Sequence, residues 1–199
     1  MAAAGAEELD LYYLDQCGLA PTLPTGYTWA RAGVRVVVPY EAPQGRRVNV
    51  IGALAPLGAQ RRLVWLSRTK ADGPLDSPVF LDFLWRDVAG LPAAPEDLPS
   101  GYQRGRPCVV VLDNYSVPHS KAVQAALPAL EAAGVTLFYV PPYSPELNAI
   151  EPRWRHLKYE QLQVRSYRTA EALQAAVDEA LTKQAALLHD PTTPLFEAA

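Results

Sequence analysis

The chain has 199 residues, of which 49% are hydrophobic and 20% charged, with a formal net charge of −3. That size fits one domain, and that apolar content excludes a disordered chain. The sum of charges argues against indiscriminate nucleic-acid binding, and no apolar run approaches the roughly 18 residues of a membrane span. Residues 1–10 are alanine-rich with Glu7, Glu8 and Asp10, and lack the basic and apolar regions of a secretion signal, so a cytoplasmic protein is expected. Residues 11–16 form a short apolar run ending in Asp15 and Gln16, a buried strand. Residues 20–26 read as a loop. Residues 47–54 and 62–67 are two further strands around a turn at 56–59. Val79, Phe80, Phe83, Leu84 and Val88 are spaced as one face of a helix over 77–88. The proline- and glycine-rich stretch 89–107 is a connector, long enough to be functional or mobile. Residues 108–113, Cys-Val-Val-Val-Leu-Asp, are the strongest strand signal, of the type buried on both faces of a parallel sheet. A helix over 121–133 contains Pro128, expected to break or kink it. A strand over 135–140 follows, then a rigid turn at 141–145. A helix over 150–162 carries Ile150, Trp154, Leu157 and Gln161 on one stripe. The last helix, capped by Thr169, turns Leu173, Val177, Ala180, Leu181, Gln184 and Leu188 inward. Three antiparallel strands followed by alternating units predict an α/β fold, one mixed sheet with helices on both faces.

The charge is unevenly spread. Residues 31–70 hold eight basic side chains against Glu41 alone, a local charge of +7, whereas residues 71–103 carry −5. A basic block of this kind is either a polyanion-binding face or a solvated sheet surface. Two acids, Asp15 and Asp113, fall at the carboxyl ends of predicted strands, the edge at which open α/β sheets bind ligands. Glu151 opens a helix directly after the rigid turn, with Pro152 suited to its first turn. Three carboxylates brought to one point repel each other, and a hard divalent cation is the usual remedy. The bland alternatives are a turn former or cap at each Asp and a macrodipole partner at Glu151. Cys17, Cys108, His119 and His156 match no zinc spacing. On adjacent parallel strands the two cysteines would stand about 20 Å apart, too far for a disulfide.

Val110-Val-Leu-Asp-Asn114, with Ser120-Lys-Ala-Val-Gln124 behind it, resembles the second-aspartate motif of DDE transposases. Pro141-Pro-Tyr-Ser-Pro-Glu-Leu-Asn-Ala-Ile-Glu-Pro-Arg-Trp-Arg-His-Leu-Lys158 resembles the third-acid motif of the same family more closely still. Tyr13-Leu-Asp-Gln-Cys-Gly18, Tyr27-Thr-Trp29 and Asn49-Val-Ile-Gly-Ala53 are similar to its first-aspartate region. The resemblance is to the bacterial insertion-sequence branch of the mariner-like superfamily, the DDE superfamily endonucleases, and covers about residues 9–180. It implies a ribonuclease H-like fold, a five-stranded mixed sheet flanked by helices. It implies that Asp15, Asp113 and Glu151 are the catalytic, metal-binding triad, with two Mg2+ or Mn2+ ions. The activity implied is cleavage of DNA at transposon ends followed by joining to target DNA, two phosphoryl transfers that a metal pair promotes. The implied partners are DNA and a second copy in a homodimer, with no membrane.

Arg31, Arg35, Arg46, Arg47, Arg153, Arg155 and Lys158 are candidate DNA contacts, and Asn114 and Asn148 candidate supports for the acids, equally able to cap turns. Trp154 is expected in the core. Gln16 stands where the family commonly has an acid, and tuning of activity rather than its loss is expected. His119, displaced by Pro118, is given no catalytic role. Fourteen residues precede Asp15, too few for the helix-turn-helix that reads element ends in this family. One catalytic domain over residues 1–199 is therefore expected, with the end-reading module in a separate frame or subunit. An inactive or domesticated DNA-binding or interaction module is the alternative. A ribonuclease H-like nuclease of other purpose would share the acids without the third-acid string.

Overall fold

The computed structural model describes residues 4, 8–21, 31–35, 45–57, 61–113, 119–142, 144–162 and 167–188. Five strands form one sheet: β1 (Asp10–Leu19), β2 (Val48–Ala55), β3 (Arg62–Arg68), β4 (Cys108–Leu112) and β5 (Val135–Tyr139), in the order β3-β2-β1-β4-β5. β1, β4 and β5 are parallel, and β2 and β3 run antiparallel to their neighbours. The mixed sheet expected from the sequence is thus observed.

Strand alternation divides the core into two layers. One face buries Tyr12, Leu14, Ile51, Ala53, Val110 and Leu112 under helix α1 (Ser77–Asp82), which widens into a π-helical stretch over Phe83–Val88, and helix α2 (Lys121–Ala132). The other buries Cys17, Leu19, Val50, Leu54 and Leu63 under α3 (Glu151–His156), which continues as a π-helical stretch over Leu157–Gln161, and α4 (Ala170–Leu188). The inward residues expected for α4, Leu173 to Leu188, are buried as predicted.

Helix starts follow their capping residues. Asp76 accepts a hydrogen bond from the Val79 N–H at 3.2 Å, Ser120 from the Val123 N–H at 3.3 Å, and Thr169 from the Ala172 N–H at 3.1 Å. A Ser77–Ser120 hydroxyl bond of 2.8 Å ties the starts of α1 and α2 together.

Two local expectations need correction. The helix break expected at Pro128 is not seen, and α2 runs on through that exposed residue. The connector after α1 is held near its end by Arg104, which donates to the Ala89 carbonyl at 2.8 Å and pairs with Asp10 at 2.8 Å. β1 does not stop at Asp15. It continues to Leu19, because residues 15–19 pair with residues 48–52 of β2. Asp15 and Cys17 therefore lie inside a strand. Cys17 and Cys108 are both free thiols, buried in opposite core layers. No helix among the described residues is long and apolar enough to cross a membrane.

Candidate active site

The two aspartates meet where two strands part. Leu14 of β1 is in register with Leu112 of β4, and β4 ends there. The residues that follow this last pair are Asp15 and Asp113, so the two acids start from adjacent backbone positions. Beyond this point β1 continues alongside β2, and a cleft of about 300 Å³ opens, lined among the described residues by Asp15, Gln16, Cys17, Gly18, Arg47, Asn49 and Asp113.

The third-acid segment is fastened to this point by two neutral side chains. Asn148 is buried and donates through Nδ2 to the Leu14 carbonyl at 3.1 Å and to Oδ1 of Asp113 at 3.2 Å. One amide thus bridges β1 and the acid that follows β4. Trp154, on the inward face of α3, donates through Nε1 to Oδ2 of Asp15 at 3.0 Å. Its ring lies against Gly52, the residue opposite Asp15 in the β1–β2 register. A Cβ at that glycine would stand 2.6 Å from Cη2 of the indole, so only glycine leaves room for the ring. Trp154 is in the core as expected. Its contact with the first acid was not legible, because helical periodicity shows which face is buried and not where an indole N–H points.

The three acids lie within electrostatic reach of one another. Asp15 is pushed up to about 7, first by burial and then by the charges of Glu151 and Asp113; the Gln16 backbone N–H and the Trp154 indole pull against this. Glu151, half-buried at the first position of α3, is also raised, by burial and by Asp113, against the lowering influence of Lys158. Lys158 likewise stands beside Cys17, where it offsets part of the upward shift that burial imposes on the thiol. Among the described residues, no basic side chain is one of the groups that shift Asp15. Among the described residues no three His, Cys, Asp or Glu side chains are gathered into a ready-made metal cage.

The other candidates are dispersed. Arg47 lines the cleft with the aspartates. Arg46 turns away, donating to the Tyr167 carbonyl at 3.0 Å. Arg31 and Arg35 are exposed on a separate turn and do not line the cleft. Arg153 is half-buried and Arg155 exposed on α3. Asn114 lies outside the described residues. His119 stacks on Tyr139 with ring centroids 4.6 Å apart, an arrangement without a contact to the acids.

The sequence profile of the DDE superfamily endonucleases matches residues 10–174. No curated protein sequence matches the chain. Among solved structures, the Mos1 strand transfer complex aligns with a TM-score of 0.60 at 12% identity, over 92% of this chain and 48% of that one. The Mos1 transposase paired-end complex with left transposon end gives 0.60 at 11%, over 92% and 53%. The Mos1 mariner paired end complex with Mn gives 0.60 at 12%, over 90% and 50%. This chain spans about half the length of those chains. At such identities the likeness is one of fold, the ribonuclease H-like α/β sheet expected from the sequence.

Proposed function

The chain belongs to the DDE superfamily endonucleases, and from that premise we propose that it is the catalytic part of a transposase, cutting DNA at transposon ends and joining the freed end to target DNA. The observation that carries this reading is the pairing of Asp15 and Asp113 at the parting of β1 and β4, with Glu151 close enough to raise Asp15 and to be raised by Asp113.

Three hard oxygen donors, one of them the buried Asp15, suit a divalent cation. A Mos1 complex was solved with Mn and another with Mg. In this proposal Asp15, Asp113 and Glu151 hold Mg2+ or Mn2+, two ions in the active state. When bound, the ions supply the charge that favours a nucleophilic oxygen on one side of the phosphodiester and a departing oxygen on the other. The chain's own residues prepare the ground. Trp154 donates to Oδ2 of Asp15, and Asn148 to Oδ1 of Asp113, and these bonds orient the two carboxylates. Both donors are neutral, so the negative charge that attracts a cation is kept. Lys158, beside Glu151, and Arg153 and Arg155 on the same helix are proposed phosphate contacts, positional and blind to sequence. Transposon-end and target DNA are the proposed partners, bound by a homodimer. A helix-turn-helix, in a separate subunit or frame, is the proposed reader of the element ends.

The second reading is a non-catalytic DNA-binding or interaction module, favoured by the lack of a gathered three-ligand cage among the described residues. A strand-cleavage assay on element-end DNA with Mg2+ or Mn2+, comparing the natural chain with Asp113→Ala, separates the two. Cutting that disappears in the variant supports catalysis. Equal cutting by both, or binding by the natural chain with no cutting, overturns it.

A further inference from the structure

Of the described residues that line the cleft, Arg47 alone carries positive charge. It sits just before β2, within the segment whose local charge is +7. Its guanidinium lies flat on the backbone of β1 at Gly18. A Cβ at that glycine would come within 2.8 Å of Cζ and 2.9 Å of Nε, and closer still to Nη2. Gly18 is directly opposite Asn49 in the β1–β2 register. Asn49 Oδ1 accepts from Arg47 Nε at 3.1 Å. The bare strand at Gly18 and the amide at Asn49 therefore fix the guanidinium from two sides. The terminal Nη groups make no hydrogen bond among the described residues, and Arg47 lines the same cleft as the two aspartates.

Gly18 shows no backbone reason to be glycine, since it is not among the residues with positive φ. In mid-strand glycine is otherwise unfavourable. What it permits here is the seat of Arg47. An arginine oriented through Nε presents a planar pair of N–H donors, the geometry that matches a phosphate bidentately.

We infer that Gly18, Arg47 and Asn49 form a clamp for a backbone phosphate of the DNA strand, flanking the phosphodiester that lies over Asp15 and Asp113. The clamp rests on the reading of the cleft as a DNA-cutting site. It assigns to Arg47 the placing of the strand, and to Gly18 and Asn49 the orienting of Arg47. It also separates Arg47 from its neighbour Arg46, which is committed to the Tyr167 carbonyl.

The test uses the whole chain and a fluorescein-labelled element-end duplex. Binding is read by anisotropy across a salt series with Ca2+ in place of Mg2+, and cutting is read separately with Mg2+. Arg47→Ala is expected to weaken binding about tenfold, as for loss of one charge-assisted hydrogen-bonding group. It is also expected to lower the slope of log K against log salt by about 0.9. Gly18→Ala is the sharper variant. The atom it displaces is the far end of a flexible exposed side chain, so the fold is retained, yet binding is expected to fall as in Arg47→Ala. The double variant is expected to be no weaker than Arg47→Ala alone, and Arg47→Lys to recover only part of the loss. Natural-level binding by Gly18→Ala, an unchanged salt slope in Arg47→Ala, or additive losses in the double variant each overturn the clamp. A natural chain that never cuts, while both single variants lose binding in parallel, keeps the clamp and removes the nuclease reading. A natural chain that cuts, with variants that bind and cut equally well, does the reverse.

Discussion

The two faces of the sheet are built from the same strands and differ in what those strands bury. Under α1 and α2 the inward positions of β1, β2 and β4 are Tyr12, Leu14, Ile51, Ala53, Val110 and Leu112, apolar throughout. Under α3 and α4 the alternate positions of β1 and β2 include Asp15, Cys17 and Gly52, and the helix above contributes an indole N–H to the acid. One face is ordinary packing. The other accepts a desolvated carboxyl and a missing Cβ, both unfavourable to stability, in exchange for a fixed orientation of Asp15. The contrast teaches that stability and chemistry are divided by strand alternation, one residue apart along β1.

Substitutions on each face test that division. The largest expected effect is on cutting: Asp113→Asn should slow it at least about a thousandfold, roughly 4 kcal/mol of barrier, with little change in melting temperature. Retained cutting in a gel assay would erase the chemical half of the contrast. Phe80→Ala, on the packed face, should remove about 3–5 kcal/mol of unfolding free energy in a urea titration. Cutting per folded molecule should stay the same, and a selective loss of activity would mean that the faces are not independent.

The metal-free chain should also show an unusual pH dependence. A carboxyl raised from its ordinary value of 3.8 to about 7 holds its proton in the fold longer than in the unfolded chain. Its contribution to stability is therefore present in full below pH ~4 and is lost as pH rises through about 7, on the order of 4 kcal/mol at most. Asp15→Asn should flatten that part of a melting-temperature profile, and an identical profile in the variant would contradict the assignment. Gly52→Ala should cost about 1–3 kcal/mol through the clash with Trp154 and should reduce cutting as well. Ser120→Ala, which removes a cap on the packed side, should cost about 1 kcal/mol and leave cutting untouched.

Much of this was legible in the sequence. Local apolar patterns marked all five strands, and the helical stripes of α3 and α4 named the residues that are buried. The family string led to the expectation of Glu151 near the two aspartates, and the charges of Glu151 and Asp113 both act on Asp15. What escaped was set by partners distant in sequence. The first strand was expected over residues 11–16, where the apolar run ends in an acid; the pairing with the distant β2 carries it on to Leu19. Asn148 read equally as a turn former or a support. Its buried Nδ2 joining Leu14 and Asp113 becomes visible only once those residues are adjacent. The basic candidates fared unevenly for the same reason. A block of positive charge says nothing about which arginine faces the acids, and Arg46 and Arg47, neighbours in sequence, go to different places.

The register that sets Asp10 beside Cys108 joins parts of the chain nearly a hundred residues apart, whereas β2 and β3 close a short antiparallel pair. Loop-closure entropy then predicts an order of assembly, with the β2–β3 pair early and the β1–β4 seam late. That seam is where Asp15 and Asp113 come together, so the site is among the last features to form. A chain emerging from the ribosome holds its first aspartate long before it has the second or Glu151, so the proposed cutting centre cannot exist in an unfinished copy. Pulsed hydrogen exchange during refolding should show the amides of β2 protected before those of β4, and the opposite order would remove this safeguard.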